Sequence, residues 1–281
     1  MINHNLDCKL PFELVELVLD NCDRSELFTC SLVCHPWLLS SRPRLFKRLE
    51  IDRPCDGLVS LLGSRYCTIA VHLEELVFRL DIYGWTGEDE HIRLDLIQPI
   101  VACLEHKVPS MRKLTIIAEG SQLLRDMTET KMGTPKTTLG SYILRSFGHV
   151  TELDLQLYVE DPTALIQFIS SFSHLQVLTI HSGCFDPDED EDRVIYSVPP
   201  TSFRLLPPSV KSLQITGQDD GRRLMSDGLP HSYRWLNVQN PQNLAWFSVF
   251  RAKVDESLDP GIQSFLARCR ELKFLNLGFD T

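Results

Sequence analysis

The sequence predicts an α/β protein in which three short helices precede an array of parallel strands with helices on its outer face. The first observation is a set of short amphipathic helical patterns between residues 10 and 51. The second is a recurring apolar-x-x-apolar-x-apolar pattern, whose end alternates with period 2 as in a short, half-buried strand. The third is the helical spacing between these units. One strand and one helix per unit, repeated, builds a parallel sheet covered by helices.

The first helix is expected to begin at Pro11, because proline lacks the N–H group that would be unpaired at the first helical position. Leu10, Leu14, Leu17 and Val18 follow at the spacing of one helical face. The sequence therefore predicts a short helix with an apolar stripe.

Two further helices are expected before residue 46. Asp23 and Glu26 have the spacing of a capping box, which predicts a helix start. Pro36 is expected to end this second helix, because the residue before a proline avoids the α region. A third helical piece carries Trp37 and is expected to end at Pro43. The second helix has two apolar faces, with Leu27, Cys30, Ser31 and Cys34 on one and Phe28 and Leu32 on the other.

Nine strand units are expected, and their central residues are 11 to 39 positions apart. The units are Phe46/Leu49/Ile51, Leu73/Leu76/Phe78, Met111/Leu114/Ile116, Val150/Leu153/Leu155, Leu175/Leu178/Ile180, Val210/Leu213/Ile215, Tyr233/Leu236/Val238, Leu244/Phe247/Val249 and Leu272/Leu275/Leu277. Helical patterns lie between them at 94–104, 139–147, 161–172 and 261–269, and long loops are expected at Ala118–Gly140, Cys184–Ser202 and Thr216–Ser232.

The composition is that of an ordinary globular protein, with 281 residues, 43% hydrophobic and 23% charged, and a formal charge of −10. Nucleic acid is not an expected partner, because no stripe of concentrated Lys and Arg is present. The polar N-terminus lacks the apolar stretch of a signal peptide, and no apolar run approaches the ~20 residues that span a bilayer. We therefore expect an intracellular protein, in the cytoplasm or nucleus, without a membrane partner.

No catalytic, metal or cofactor site is expected. The nine cysteines form no disulfide framework and are typical of reduced cytosolic thiols. Cys30, Cys34 and His35 suggest a zinc site, but no second ligand pair follows at a suitable spacing. The local signatures of nucleotide-binding loops, metalloproteases and serine hydrolases are absent. The acidic run at Asp186–Asp192 lacks the glycine of a calcium loop.

The N-terminal stretch resembles the F-box, in the form common in fungal F-box proteins. The resemblance is carried by Leu10-Pro11-x-Glu13-Leu14, Val18, Leu27, Leu32-Val33-Cys34, Trp37 and Leu45-Phe46. It implies that these helices bind a Skp-type adaptor and, through it, a cullin–RING ubiquitin ligase. The implied adaptor-binding residues are Leu10, Pro11, Leu14, Val18, Leu27, Leu32, Val33 and Trp37.

The remainder resembles leucine-rich repeats in its Leu-x-x-Leu-x-Leu core only. The units are irregular in length, so we expect a distorted solenoid with insertions over residues 51–281, after an F-box at 1–50. On each strand the residues that alternate with the core face the other side of the sheet. In the last units these include Trp235, Trp246, Phe250 and Phe274, a type of residue that often dominates protein recognition.

These observations favour a non-catalytic protein, the substrate-recognition subunit of an SCF-type cullin–RING ubiquitin ligase, with a client protein on the repeat surface. A second hypothesis is an F-box scaffold without a ubiquitin client. A third is an unrecognised hydrolase or metal enzyme, which would require a site assembled from distant residues.

Overall fold

Three N-terminal helices and a parallel sheet of eight strands make up the computed structural model, which describes residues 10–52, 56–80, 98–118, 139–157, 162–181, 206–216, 241–251 and 260–279. The helices are α1 (Phe12–Asp20), α2 (Arg24–Cys30), α3 (His35–Leu45), α4 (Asp56–Gly63), α5 (98–104), α6 (Leu139–Phe147), α7 (Pro162–Ser170) and α8 (Pro260–Leu266), with a 3-10 turn at Ala70–His72. The strands are β1 (Arg48–Ile51), β2 (Glu75–Leu80), β3 (Lys113–Ala118), β4 (Glu152–Leu157), β5 (Val177–His181), β6 (Ser212–Thr216), β7 (Trp246–Arg251) and β8 (Phe274–Phe279).

The strands lie side by side in chain order, and every pair is parallel. The same backbone hydrogen bond begins each pair of strands: the first residue of one strand donates to the carbonyl of the residue just before the preceding strand. For example, the Glu75 N–H donates to the Lys47 carbonyl, and the Phe274 N–H donates to the Ala245 carbonyl. The predicted mixed α/β fold with a parallel sheet is confirmed. The predicted unit at Tyr233, Leu236 and Val238 lies outside the described residues, as do most residues of the three predicted loops.

The apolar residues of the repeated units form the core. Residues in equivalent positions of six strands are 0–1% exposed: Leu76, Leu114, Leu153, Leu178, Leu213 and Phe247. Phe147 of α6, Phe168 of α7 and Phe265 of α8 pack in the same cluster. Burying each side chain of this size stabilises the fold by about 1.5–3 kcal/mol. The repeated spacing therefore determines which side of each strand faces the helices.

The ends of the three N-terminal helices differ from the prediction at each proline. Pro11 immediately precedes α1, where its carbonyl accepts hydrogen bonds from the N–H groups of Leu14 and Val15 at 3.0 and 3.2 Å. The prediction that Pro36 ends the second helix was wrong, because α2 already ends at Cys30 and Pro36 lies in the first turn of α3. Proline is tolerated there because its missing N–H has no helical acceptor.

Pro43 lies inside α3, so the prediction that it ends the third helix was also wrong. The helix continues to Leu45, and a proline near the helix end removes one backbone bond rather than several. Only Phe46 and Lys47 separate α3 from β1. The Lys47 carbonyl accepts from both Glu74 and Glu75, which joins the helical region directly to the sheet.

Candidate functional site

The helix α1 has apolar side chains on two of its faces. Val15 and Leu19 are 4% and 1% exposed and belong to the core of the helical region. Leu14, Leu17 and Val18 lie on another face at i, i+3 and i+4, and they are 47%, 60% and 43% exposed. Because a helix that is apolar on both faces is normally covered on both, the exposed face indicates a contact surface.

The end of α2 and the turn after it expose a second apolar group. Phe28, Leu32 and Val33 are 61%, 73% and 60% exposed. The turn is held by backbone bonds from Leu32 N–H to the Thr29 carbonyl and from Val33 N–H to the Cys30 carbonyl, at 3.0 and 3.1 Å. This hydrogen-bonded turn presents two adjacent large apolar residues outward. Leu10, just before α1, is 50% exposed as well. We call Leu10 and the exposed apolar residues of both groups the helical surface: Leu10, Leu14, Leu17, Val18, Phe28, Leu32 and Val33.

Two of the residues that the resemblance assigns to adaptor binding lie with the core instead of on the helical surface. Leu27 is 7% exposed and packs in the cluster with Val15 and Leu19, and Trp37 is partly buried against the same cluster. The other six are exposed: Leu10, Pro11, Leu14, Val18, Leu32 and Val33. The adaptor-binding role of all eight stays a prediction, and for Leu27 the described contacts are internal.

Arg44 of α3 joins the third helix to the first. Its guanidinium donates to Glu16 Oε2 at 2.8 Å and to both Asp20 and the Ser40 carbonyl, the last at 2.9 Å. Hydrogen bonding from Arg44 is the main reason that the pKa of the Glu16 carboxyl is lowered, and the Glu16 bond in turn raises the pKa of Arg44. This contact holds the acidic side of α1 against α3 and leaves the helical surface free. Sequence reasoning missed it, since Glu16 and Arg44 are 28 residues apart.

Replacing Arg44 with methionine should lower the melting temperature of the helical region in a pH-dependent way. A carboxyl with a lowered folded-state pKa stabilises the fold above its unfolded pKa, about 4.3 for glutamate, and loses this effect as the pH falls through the folded value. The difference in melting temperature between wild type and Arg44→Met should therefore be largest near about pH 6–7 and should shrink toward about pH 2–3. Lys47→Met is the control, because the Lys47–Glu74 pair is largely exposed. A difference that stays constant with pH would contradict the assignment.

The face of the sheet opposite the helices, which we call the open face, has the residues that the alternation predicts, although Val77, Thr115 and Ser248 in its middle row are buried. At the start of the strands, the parallel register aligns Arg48, Glu75, Lys113, Glu152, Val177, Ser212, Trp246 and Phe274. The row changes from charged residues at β1–β4 to aromatic residues at β7–β8. The two predicted aromatic residues in this row stack, with Trp246 and Phe274 ring centroids 4.1 Å apart and 44% and 45% exposed.

The other two predicted client-binding residues are less defined. Phe250 belongs to β7, and its backbone aligns with Thr216 and Gly278 on the row at the other end of the strands. Trp235 lies outside the described residues. Of the four predicted residues, the structure thus brings Trp246 and Phe274 together.

The charged part of the open face is a ladder of ion pairs. Glu75 approaches Arg48 at 3.6 Å and Lys113 at 3.2 Å, and Glu50 pairs with Arg79 at 2.8 Å. The exposed pairs contribute little individually, about 0–1 kcal/mol. In this part of the face, carboxylates of neighbouring strands therefore neutralise the charges of the paired cations.

The ladder continues across β4–β6 as a hydrogen-bonded series. The His181 Nε2 atom lies 3.1 Å from Asp154 Oδ1, and the His181 Nδ1 atom lies 2.8 Å from Thr216 Oγ1. A hydroxyl–imidazole–carboxylate series can activate a hydroxyl for nucleophilic attack. Here Asp154 also lies 3.9 Å from Lys113 Nζ, so the series continues the ion-pair ladder of the face, and we assign it to strand pairing.

The described cysteines are free thiols: Cys22, Cys30, Cys34, Cys67, Cys103 and Cys269. Burial raises the pKa of Cys269 to about 11, and partial burial with hydrogen bonding to Cys30 raises the pKa of Cys22. Because their pKa values are raised, these two thiols stay protonated at neutral pH. They are therefore not in the thiolate form, which is the reactive one. Within the described ranges, no three His, Cys, Asp or Glu side chains are grouped closely enough to hold a metal, and no helix has the length and apolar character to cross a membrane.

Comparison with known families identifies the helical region. The F-box domain model matches residues 8–48, which contain α1, α2 and α3. No curated protein matches the chain. Residues 8–48 are therefore an F-box domain, and F-box domains bind Skp-type adaptors within SCF-type ubiquitin ligases, generally as non-catalytic subunits.

Proposed function

We propose that the protein is the substrate-recognition subunit of an SCF-type cullin–RING ubiquitin ligase. The observation that carries this proposal is the exposed helical surface on a matched F-box domain, where the described residues leave the apolar side chains of Leu14, Val18 and Leu32 exposed. Such a surface is suited to an adaptor that buries it. The protein would act in the cytoplasm or nucleus.

The direct connection between the F-box and the sheet supports this role. Phe46 and Lys47 alone lie between α3 and β1, and Lys47 pairs with Glu74 at 3.3 Å as well as accepting the backbone bonds that start β2. A subunit of this kind accelerates ubiquitin transfer by holding the client at a high effective concentration near the ligase. A short, hydrogen-bonded junction limits the range of orientations available to the client.

We further propose that residues 51–281 form an irregular leucine-rich-repeat-like solenoid, after an F-box of the form common in fungal proteins at 1–50. Support comes from the consecutive strand order and from the equivalent register of every pair. In such arrays each repeat contacts mainly its neighbours, and the sheet provides an extended surface for partners.

The client would bind the open face of the sheet, where Trp246 and Phe274 form an exposed stack. Large aromatic residues dominate the energetics of many interfaces because they bury much apolar area at a small entropy cost. Further candidates for the client-binding site are Trp235 and Phe250, which is four positions after Trp246 on β7 and so has the same place in the alternation.

The test is to express the full chain and a Leu10→Ala, Pro11→Ala variant in cells, and to compare their captured proteins and the half-lives of those proteins. We expect the variant to lose the adaptor and cullin but to retain its clients, which should then be degraded more slowly. Leu61→Ala, an exposed leucine of α4, is the control. If every retained protein keeps the same half-life, the protein is a non-degradative F-box scaffold. If neither chain captures an adaptor, the proposal fails.

A further inference from the structure

Three exposed cations at the β6–β8 end of the sheet have no ion pair within the described residues, whereas four cations at the other end are paired, although Arg112 beside them is not. Lys47, Arg48, Arg79 and Lys113 each pair with a carboxylate at 2.8–3.6 Å. By contrast, the exposed side chains of Lys211, Arg270 and Lys273 form no ion pair with any residue in the described part of the chain. The exposed Glu271 lies between Arg270 and Lys273 in the sequence, so the three cations and this carboxylate leave a net positive charge here, on a protein whose formal charge is −10.

This positive region lies beside the aromatic stack. The Trp246 N–H donates to the Lys211 carbonyl at 2.9 Å, and the Lys273 N–H donates to the Ala245 carbonyl at 2.9 Å. Lys273 directly precedes Phe274, and Arg270 lies in the turn before it. Because neighbouring strands are about 4.8 Å apart, the backbones of both lysines lie within two strand spacings of each other, at the end of the strands that carries Trp246 and Phe274.

The row of core residues that is buried along the sheet becomes exposed at this end. Leu275 is 45% exposed, whereas its register partner Phe247 and the equivalent Leu213 are fully buried. In the described residues β8 has a paired strand on one side only. An edge strand offers unpaired N–H and C=O groups, and such an edge accepts an extended peptide that adds a strand.

We propose that this end of the sheet binds an extended acidic segment of the client protein that carries a large apolar side chain. The binding surface, which we call the terminal patch, consists of Trp246, Phe274 and Leu275 together with Lys211, Arg270 and Lys273. The apolar side chain packs on the stack, and the acidic residues pair with the cations. That the bound protein is a client of the ligase rests on the proposed function, whereas the binding of an acidic, apolar segment does not depend on it.

Charge complementarity decides between the candidate occupants. A second copy docked patch to patch sets the three cations against their own counterparts, and a basic or neutral segment leaves them without added carboxylates. An acidic segment gains from both the cations and the aromatic stack. Opposite charges across an interface also raise the association rate, and this effect weakens as salt is added.

The test uses a fluorescein-labelled peptide of alternating aspartate and phenylalanine as the probe, with fluorescence anisotropy on the full chain in complex with its adaptor. Two matched probes replace every aspartate with asparagine, or every phenylalanine with alanine. We expect saturable binding of the first probe only, and weaker binding at high salt. The Lys211→Glu, Lys273→Glu double variant should weaken binding by at least about tenfold, and so should Trp246→Ala.

Arg112→Glu is the matched control for the charge reversal. Arg112 is exposed and precedes β3 as Lys211 precedes β6, and it donates the same backbone bond to the preceding strand, here to Glu74. Its change should alter the dissociation constant by less than about twofold, because its region of the sheet is balanced by carboxylates. Circular dichroism melts of all variants establish that each is folded.

Three results would overturn the proposal: no binding of the acidic probe, equal binding of the acidic and amide probes, or equal weakening by Arg112→Glu. A dimer in light scattering that Trp246→Ala dissociates would assign the terminal patch to a second copy instead. Failure of the proposed function is distinguishable, because it would appear as unchanged client half-lives while peptide binding persists.

Discussion

Replacing Leu14 with aspartate should weaken binding of the Skp-type adaptor by at least about 30-fold, equivalent to about 2 kcal/mol. Leu14 lies on the exposed face of α1, one turn before Leu17 and Val18, and is 47% exposed in the free chain. An adaptor that covers this face would bury the new carboxylate without a partner, which is costly. In the free chain the aspartate stays hydrated, so the fold should change little.

Leu61→Asp is the matched control for this result. Leu61 is also 47% exposed and also lies in a short helix, α4, so both substitutions have a similar cost in helix propensity. Adaptor affinity is measured by calorimetry on both variants and on wild type. We expect the Leu61 variant to retain wild-type affinity. Equal affinity for all three chains would show that the adaptor does not bind the exposed face of α1.

The strands were predictable because their signal is local. Leu114 and Ile116, or Leu178 and Ile180, alternate within a few residues, and this spacing determines which side chains face the core whatever the distant parts of the chain do. The predicted change from charged to aromatic residues along the open face followed from the same alternation. It placed Trp246 and Phe274 on one face, and the register placed them side by side.

The prolines of the F-box were not predictable from local rules. Pro36 is compatible with a helix end before it or with the first turn of a helix, and the structure has the second. The choice depends on tertiary contacts such as that of Trp37 with the core of Val15, Leu19 and Leu27.

The terminal patch could not be predicted from local sequence rules either. Lys113 and Lys273 each begin a strand, but only the structure shows that Lys113 is paired with Glu75 and Lys273 has no described carboxylate partner. Ion pairing across parallel strands joins residues that are separated by a whole repeat, here 38 positions for Lys113 and Glu75. Composition reports the net charge of the chain and does not locate the cations that have no carboxylate partner among the described residues.

Replacing Leu19 with alanine should unfold the F-box while the sheet stays folded. Leu19 is 1% exposed, and in the described part of the chain Val15 and Leu27 are buried with it in the core of the three helices, with four partly buried residues packed around them. A buried Leu→Ala change costs about 2–5 kcal/mol through lost burial and the cavity left behind. A core this small has little remaining stability to absorb that loss. The sheet has a separate and much larger core.

Hydrogen exchange measures this difference between regions directly. In Leu19→Ala, amides of 12–45 should exchange faster, while those of β3–β5 should keep their protection. Leu153→Ala, equally buried but in the sheet, should reduce protection in β3–β5. A saturating concentration of the adaptor should restore protection to the Leu19 variant, because a ligand that binds only the folded state shifts the equilibrium by mass action. Loss of protection throughout the sheet of Leu19→Ala would instead mean that F-box and sheet unfold as one unit, so that the rigid junction at Phe46 and Lys47 transmits stability as well as orientation.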